Sequence, residues 1–348
     1  MFQFHLNNEK EMREWDNYVL SHSNGTPFHL SLWLKTIYKT YKFEPILFVD
    51  KDSTNSLSFI FPSFLIKSFL NGKRIVSIPF SDYGGPLCND DSQLSEHVNS
   101  IIYDFKKRVK YFEFRCSFPS NDASVCNSYY KRHILELSKD PDEVKNKLNK
   151  RTIKYSIRKA VNSGVIIKEV NTIDGIMEFY NLNALTRKKH GVPTQPKKYF
   201  NLLYENIINN DLGFILLAYI EDKIIAASLF LKYKDTIHYK YNASDPKYMK
   251  SYKPNHLLTW TAIKKACIEG YKYFDFGRTS PDNKGLMRYK QMWGANPIDC
   301  EYNYYPEAMG VNSIQEDKLI YKILTNSWRL LPTFIDRRIG NFLYKHMG

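Results

Sequence analysis

The sequence predicts an α+β protein: a mixed α/β sheet built as two tandem domains, followed by a C-terminal helical tail. Three observations carry this. At 348 residues the chain exceeds one ordinary compact unit. A single order of elements (helices, an antiparallel meander, a helix, then a strand) occurs twice, in the ranges 1–138 and 139–312. The remainder, 313–348, reads as two basic amphipathic helices broken at Pro332.

In the first half, 9–20 and 31–40 have helical periodicity, the second capped by Ser31. Strand-like runs at 45–49, 57–66 and 74–79 lead into a glycine-bearing turn, 81–87. A helix at 94–109 and strands at 111–116 and 133–137 close the half. In the second, Asp140 caps and Pro141 starts a helix that should run to about Asn162 and stop at Gly164. A strand at 165–169, helices at 173–190 and 197–208, and strands at 213–220, 224–233 and 236–242 follow. Asn255 is placed to cap a helix to Glu269. The aromatic strand 271–276 should break at Gly277, exposing Arg278, Thr279 and Ser280 in a loop. A short helix after Asp282 then carries Arg288, Tyr289, Lys290 and Trp293 and stops at Gly294. In the tail, Leu330, Leu331, Phe334, Ile335, Ile339, Phe342 and Leu343 make an apolar face. It would pack on the body or touch a membrane surface.

A hydrophobic content of 43% is ample for a core, so disorder is excluded. The net charge of +14 calls for a polyanionic partner: nucleic acid, a phosphorylated carrier or an anionic membrane surface. The five cysteines form no CxxC pair, which leaves neither a metal site nor a disulfide framework and fits a reduced, cytoplasmic location. The N-terminus lacks an apolar signal core, and no apolar run is long enough to span a bilayer.

Chemistry-bearing residues fall into a few groups. Lys147, Lys150, Arg151, Lys154 and Arg158 share one stripe of the helix starting at Pro141, with Val144, Leu148 and Tyr155 on the adjacent face. Five cations on a stripe without acids favour a phosphate-bearing partner. Arg187 ends a basic helix, where it either answers the helix dipole or grips a phosphate or carboxylate. Asp82, Asp275 and Asp282 are the candidate acids; Asp275 could orient Arg278 or act as a general base, with a structural ion pair the favoured role. The segment 243–253 before the helix at Asn255 has no glycine, and Pro254 removes an amide donor. That disfavours a coenzyme A pyrophosphate cradle, although Lys250 and Lys253 remain near.

The words TPFHLSLWLKTIY, IPFSDYGGPL, RTIKYSIRKAVNSGV, LTRKKHGVPTQPKKYF, HYKYNASDPKYMKSYKPNHLL and FDFGRTSPDNKGLMRYKQMWGANP stand in one order across nearly the whole chain. Together they resemble the FemAB-like branch of the GNAT superfamily, the peptidoglycan interpeptide-bridge aminoacyltransferases and their relatives in surface-polysaccharide clusters. The resemblance implies two tandem GNAT-like domains with a cleft for the acceptor. It implies transfer of an aminoacyl or acyl group from an activated donor, aminoacyl-tRNA before acyl-CoA, to an amine of a UDP- or lipid-linked envelope precursor. Family acceptor positions map onto Lys35, Arg187, Tyr241 and Lys290, with Lys290 toward a sugar diphosphate and Arg278 beside it. Two departures stand out. The long helical arm of some bridge enzymes is absent, and Arg115-Cys116-Ser117 stands where an acid is expected, so no catalytic base is assigned. An acyl-CoA-dependent N-acyltransferase of polysaccharide synthesis is the first alternative, and a non-catalytic nucleic-acid-binding protein the second.

Overall fold

The computed structural model describes residues 1–69, 72–116, 126–306, 328–329 and 333–346, without the side chains of 126–128, 333–335 and 341. They divide into two compact units. The first takes 1–130, 300–306 and 342–346, and the second takes 131–299, 328–329 and 333–341.

The first unit contains β1 (Phe2–Phe4), α1 (Glu9–Ser21), α2 (Ser31–Tyr41), β2 (Glu44–Lys51), β3 (Leu57–Ser68), β4 (Gly72–Ser77), β5 (Leu87–Cys88), α3 (Asp91–Phe105), β6 (Tyr111–Phe114) and the start of β7 (Cys126–Glu136). β2, β3 and β4 form the antiparallel meander, α3 crosses over, and β6 returns parallel to β4. Ser31 is not the cap of α2. Leu30 holds that position, and the Asp16 carboxylate on α1 accepts both the Ser31 N–H (2.7 Å) and its hydroxyl (2.6 Å).

The second unit repeats the plan. It holds the rest of β7, α4 (Pro141–Lys147), α5 (Tyr155–Asn162), β8 (Ile166–Glu169), α6 (Ile173–His190), α7 (Lys197–Leu203), β9 (Gly213–Ile220), β10 (Lys223–Tyr233), β11 (Thr236–Ser244), α8 (Pro246–Tyr252), α9 (Pro254–Ile268), β12 (Tyr273–Thr279) and α10 (Lys284–Gln291). β13 (Asn296–Tyr305) begins here and ends in the first unit, and α11 (Thr333–Tyr344) is the tail helix. β9, β10 and β11 are the meander, α9 the crossover, and β12 returns parallel to β11. The predicted α+β tandem architecture is therefore present. A core of Phe214, Phe230, Trp260, Phe274 and Trp293 lies on the α9 face, which accounts for the expected packing of Trp293.

Further expectations change. The helix at 141–162 is two helices, because Leu148 is extended and Lys154 N–H reaches back five residues to the Asn149 carbonyl in a wide turn. Val144 and Leu148 are buried, but Tyr155 is exposed, so it does not share their face. The segment before α9 is not a loop, since Asp245 caps α8 through the Lys247 N–H (3.0 Å). Lys253, at φ 52°, rather than Asn255, precedes α9. Finally, Ile339 and Phe342 of the expected apolar tail face are exposed, while Asp336 and Gly340 are buried. Leu330 and Leu331, and the side chains of Phe334 and Ile335, lie outside the described residues. Among the described residues no helix is long and apolar enough to cross a membrane.

Candidate active site

In each unit the parallel pair at the sheet centre lasts only three residue pairs. β4 and β6 part after Val76 and Glu113, and β11 and β12 part after His238 and Asp275. In the first unit the gap is filled. Gly84 bridges to Arg115, its N–H donating to the Arg115 carbonyl at 2.8 Å. The Ser77 hydroxyl accepts the Arg115 N–H and donates to the Gly84 carbonyl. Gly85 lies so close to Cys116 that a Cβ would stand 2.1 Å from its sulfur. Asp82 belongs to this plug, its carbonyl accepting the Tyr302 hydroxyl at 2.8 Å. Among the described residues no such bridge occupies the β11–β12 gap.

The walls of that gap depend on a bulge. Phe230 pairs with Tyr239 and Leu229 with Tyr241, so Lys240 is the extra residue on β11. Two residues apart in a regular strand would share a face, but here Tyr239 and Tyr241 do not. The Tyr239 ring stacks on Phe230 and its hydroxyl meets Ser228, on the α9 side. Tyr241 turns to the α6–α7 side, among Phe179, Tyr199 and Phe200. Its hydroxyl bonds to the Tyr199 hydroxyl (2.9 Å) and accepts from Gln195 Nε2 (3.3 Å). Arg187, half-buried at the end of α6, donates from Nε to the Pro193 carbonyl at 3.1 Å. Arg187 and Tyr241 are thus brought together on the 191–196 segment. The tail secures the same segment. Asp336 of α11 accepts the Thr194 N–H and hydroxyl and the Trp328 indole N–H, and Gly340 packs against the Thr194 backbone.

The β12 wall is organised by Asp275. Gly277 does not end the strand. At φ 71° it sits in a bulge, after which Arg278 pairs with Arg132 and Thr279 with Lys131 of β7. Thr279 is consequently buried rather than displayed in a loop. The Asp275 carboxylate, 1% exposed, accepts Arg132 Nη2 at 2.9 Å and the Gly277 N–H at 2.7 Å, and faces His238 Nδ1 at 3.4 Å. Burial alone would raise its pKa. Arg132, then His238 and the Gly277 amide, outweigh burial and hold the carboxyl well below the usual range. A carboxylate so weakly basic is unsuited to general-base work at neutral pH, and Asp275 is an ion-pair anchor.

Lys290 of α10 is only 5% exposed. Its ammonium turns inward and donates to the Gly277 carbonyl at 2.8 Å and the Arg278 carbonyl at 3.4 Å. Lys290 and Arg278 therefore meet at the β12 end, a different cluster from Arg187 and Tyr241. Beside them lies His133, which sequence reasoning passed over. It is fully buried, and neither ring nitrogen has a hydrogen-bond partner among the described residues. Burial, reinforced by Lys290, lowers its pKa to about 4 against the opposing pull of Asp275. Lys35 lies half-buried on α2 in the first unit, acting on the Asp16 carboxylate. Of the basic stripe, Lys147, Lys150, Arg151 and Arg158 are exposed, and Lys154 donates to the Asn146 carbonyl at 3.2 Å. Extended Leu148 separates Lys147 on α4 from the other four, of which Lys150, Arg151 and Lys154 lie in the wide turn and Arg158 in α5.

Unlike its counterpart between β4 and β6, the β11–β12 gap is a central parting of parallel strands that no isolated bridge fills among the described residues. Residues 147–291, which contain the open copy, match the family model of the GNAT acetyltransferase domain. The chain therefore carries a GNAT-type domain, and its α+β fold is the GNAT-like one that the motif resemblance implied. Among solved structures its fold is shared with FemX (16% identity, 91% of this chain and 100% of that one, TM-score 0.64). It is shared too with L-PGS from Bacillus licheniformis (12% identity, 93% and 98% covered, TM-score 0.56). A tandem GNAT protein from the clavulanic acid biosynthesis pathway also aligns (9% identity, 88% and 98% covered, TM-score 0.51). At these identities the likeness establishes the fold. No curated protein matches the sequence.

Proposed function

We propose that the protein transfers an aminoacyl or acyl group, with aminoacyl-tRNA the favoured donor, to an amine of a cell-envelope precursor such as a peptidoglycan muropeptide. The observation that carries this reading is the open β11–β12 gap of the second unit, flanked by Tyr241 and Arg187 on one side and Arg278 on the other. A reaction between an activated ester and a neutral amine needs little covalent machinery. The protein must align the two, exclude water and stabilise the oxyanion. Arg187 and Arg278 supply positive charge for the anionic parts of the acceptor. Lys290 is a positioning residue, holding the Gly277–Arg278 turn by its carbonyls.

The donor preference follows from the entry to α9. Lys253 in a left-handed conformation followed by Pro254 gives no glycine-type amide cradle for a pyrophosphate. The FemX and L-PGS folds support an envelope or lipid-linked acceptor. The exposed Ile339 and Phe342 of α11 add an apolar contact for a membrane surface bearing such an acceptor, which co-sedimentation with anionic vesicles would reveal. The test is transfer itself, followed by mass spectrometry with aminoacyl-tRNA or acyl-CoA as donor and a UDP-linked muropeptide as acceptor. Arg187→Ala and Arg278→Ala should each lose turnover while keeping the parent circular dichroism. Undiminished turnover in both would sink the reading, and transfer from acyl-CoA alone would establish the polysaccharide-type alternative.

A further inference from the structure

We propose that a cationic cavity at the end of β11, distinct from the basic stripe of α4 and α5, holds the phosphate backbone of an RNA acyl donor. The proposal rests on the transferase reading and adds to it where the donor sits.

The cavity has a volume of about 360 Å³ and takes its charge from three separate segments. Lys188 and Lys189 come from the last turn of α6, Lys247 from the first turn of α8, and Arg329 from the tail. Asp245 is the one carboxylate in the lining, and its Oδ1 already accepts the Lys247 N–H. The lining therefore carries a formal charge of +3. Next to it, burial lowers the His190 pKa, and Lys189, Arg187 and Arg329 lower it further. Such a volume matches a nucleotide-sized ligand and such a field an anion.

Its position supplies the connection to the chemistry. The end of α6 is fastened to the end of β11, since the Thr186 hydroxyl donates to the Ser244 carbonyl (3.1 Å) and accepts the Ser244 N–H (2.8 Å). That is the end of β11 that has parted from β12. Tyr241 lies three residues back along the strand, roughly 10 Å away at the usual rise. A backbone held in the cavity would leave its 3′-terminal ester in reach of the gap. Coenzyme A fits less well, because its pyrophosphate calls for converging amides and the turn into α9 begins with a proline. Cations spread over three segments suit successive phosphodiesters instead. The stripe offers no cavity: Lys147, Lys150, Arg151 and Arg158 are exposed, and Lys154 is taken up by the Asn146 carbonyl.

The experiment measures binding of a short RNA hairpin ending in CCA to the full chain across a salt series, by fluorescence anisotropy. Lys188→Glu/Lys247→Glu is compared with Lys150→Glu/Arg151→Glu; three of these lysine and arginine side chains are exposed and Lys188 is partly so, and both proteins should fold. The cavity variant should bind at least about tenfold more weakly. Its log–log salt slope should shrink by roughly 1.4–1.8, the loss of two phosphate contacts. The stripe variant should stay near the parent. No RNA binding by the parent, unchanged affinity in the cavity variant, or coenzyme A displacing the RNA would each overturn the site. Binding that depends on the cavity without transfer to any envelope precursor would leave the site standing and remove the transferase reading. Transfer from aminoacyl-tRNA with unaltered binding in the cavity variant would do the reverse.

Discussion

Replacing Lys290 by methionine tests how the β12 wall is built. The Gly277 bulge is pinned from both sides: its N–H is taken by Asp275 and its carbonyl by the Lys290 ammonium. Methionine fills similar space but cannot donate, so a buried carbonyl loses a charged hydrogen bond. Such a bond contributes about 1.5–3 kcal/mol, and with the site 5% exposed the upper half of that range is expected. The same change removes a positive charge beside His133. Burial is the larger cause of the low His133 pKa and persists, while Asp275 now acts unopposed. His133 should therefore titrate above its present value of about 4, yet still below an ordinary histidine. Guanidinium unfolding followed by circular dichroism reads the first effect, and histidine ring-proton NMR across a pH series reads the second. A variant as stable as the parent, with His133 titrating where it did, would refute the inward placement of the ammonium.

Two further outcomes follow from buried groups elsewhere. Buried His29 and His133 both have pKa values lowered to about 4, so between pH 4 and 6.5 the unfolded chain binds more protons and stability rises with pH. For His29, held between Thr26 and the Gly85 carbonyl, the full swing is about 3 kcal/mol, and denaturation midpoints that stay flat across that window would contradict its neutral burial. Gly340→Ala would place a Cβ 2.4 Å from the Thr194 carbonyl oxygen, so α11 must shift at a cost of roughly 1–3 kcal/mol. Hydrogen exchange in 191–196 should accelerate, and unchanged protection there would show that the tail does not secure the Arg187–Tyr241 segment.

Much of the fold was legible because local chemistry marks its own boundaries. The helix 173–190 was read to the residue, with Thr172 accepting the Gly175 N–H at one end and left-handed Gly191 closing the other. The break after α4 also left a trace. Buried Val144 and Leu148 are four apart, but the next buried residue, Ile153, comes five later, the step of a wide turn. Asp245-Pro246 carries the same cap signature as Asp140-Pro141, a mark of α8 that the expected loop before α9 passed over. Arg132 gave no such sign, because its partner Asp275 is 143 residues away in sequence and only strand register brings them together.

The stretch from Phe274 to Pro297 illustrates the division. Its alternating aromatics, glycine and short basic helix determined a strand, a kink and a helix, since propensity and periodicity act over a few residues. Its motifs, with those before it, carried the resemblance that the GNAT domain match at 147–291 agrees with. Whether Gly277 ends a strand or bulges it, whether Lys290 faces solvent or two carbonyls, and whether Asp275 is a base or an anchor depended on β7 pairing beside it. Those are long-range matters of register, burial and charge. Tertiary structure alone decided them, as it decided that one central gap is filled by Gly84 and its equivalent stays open.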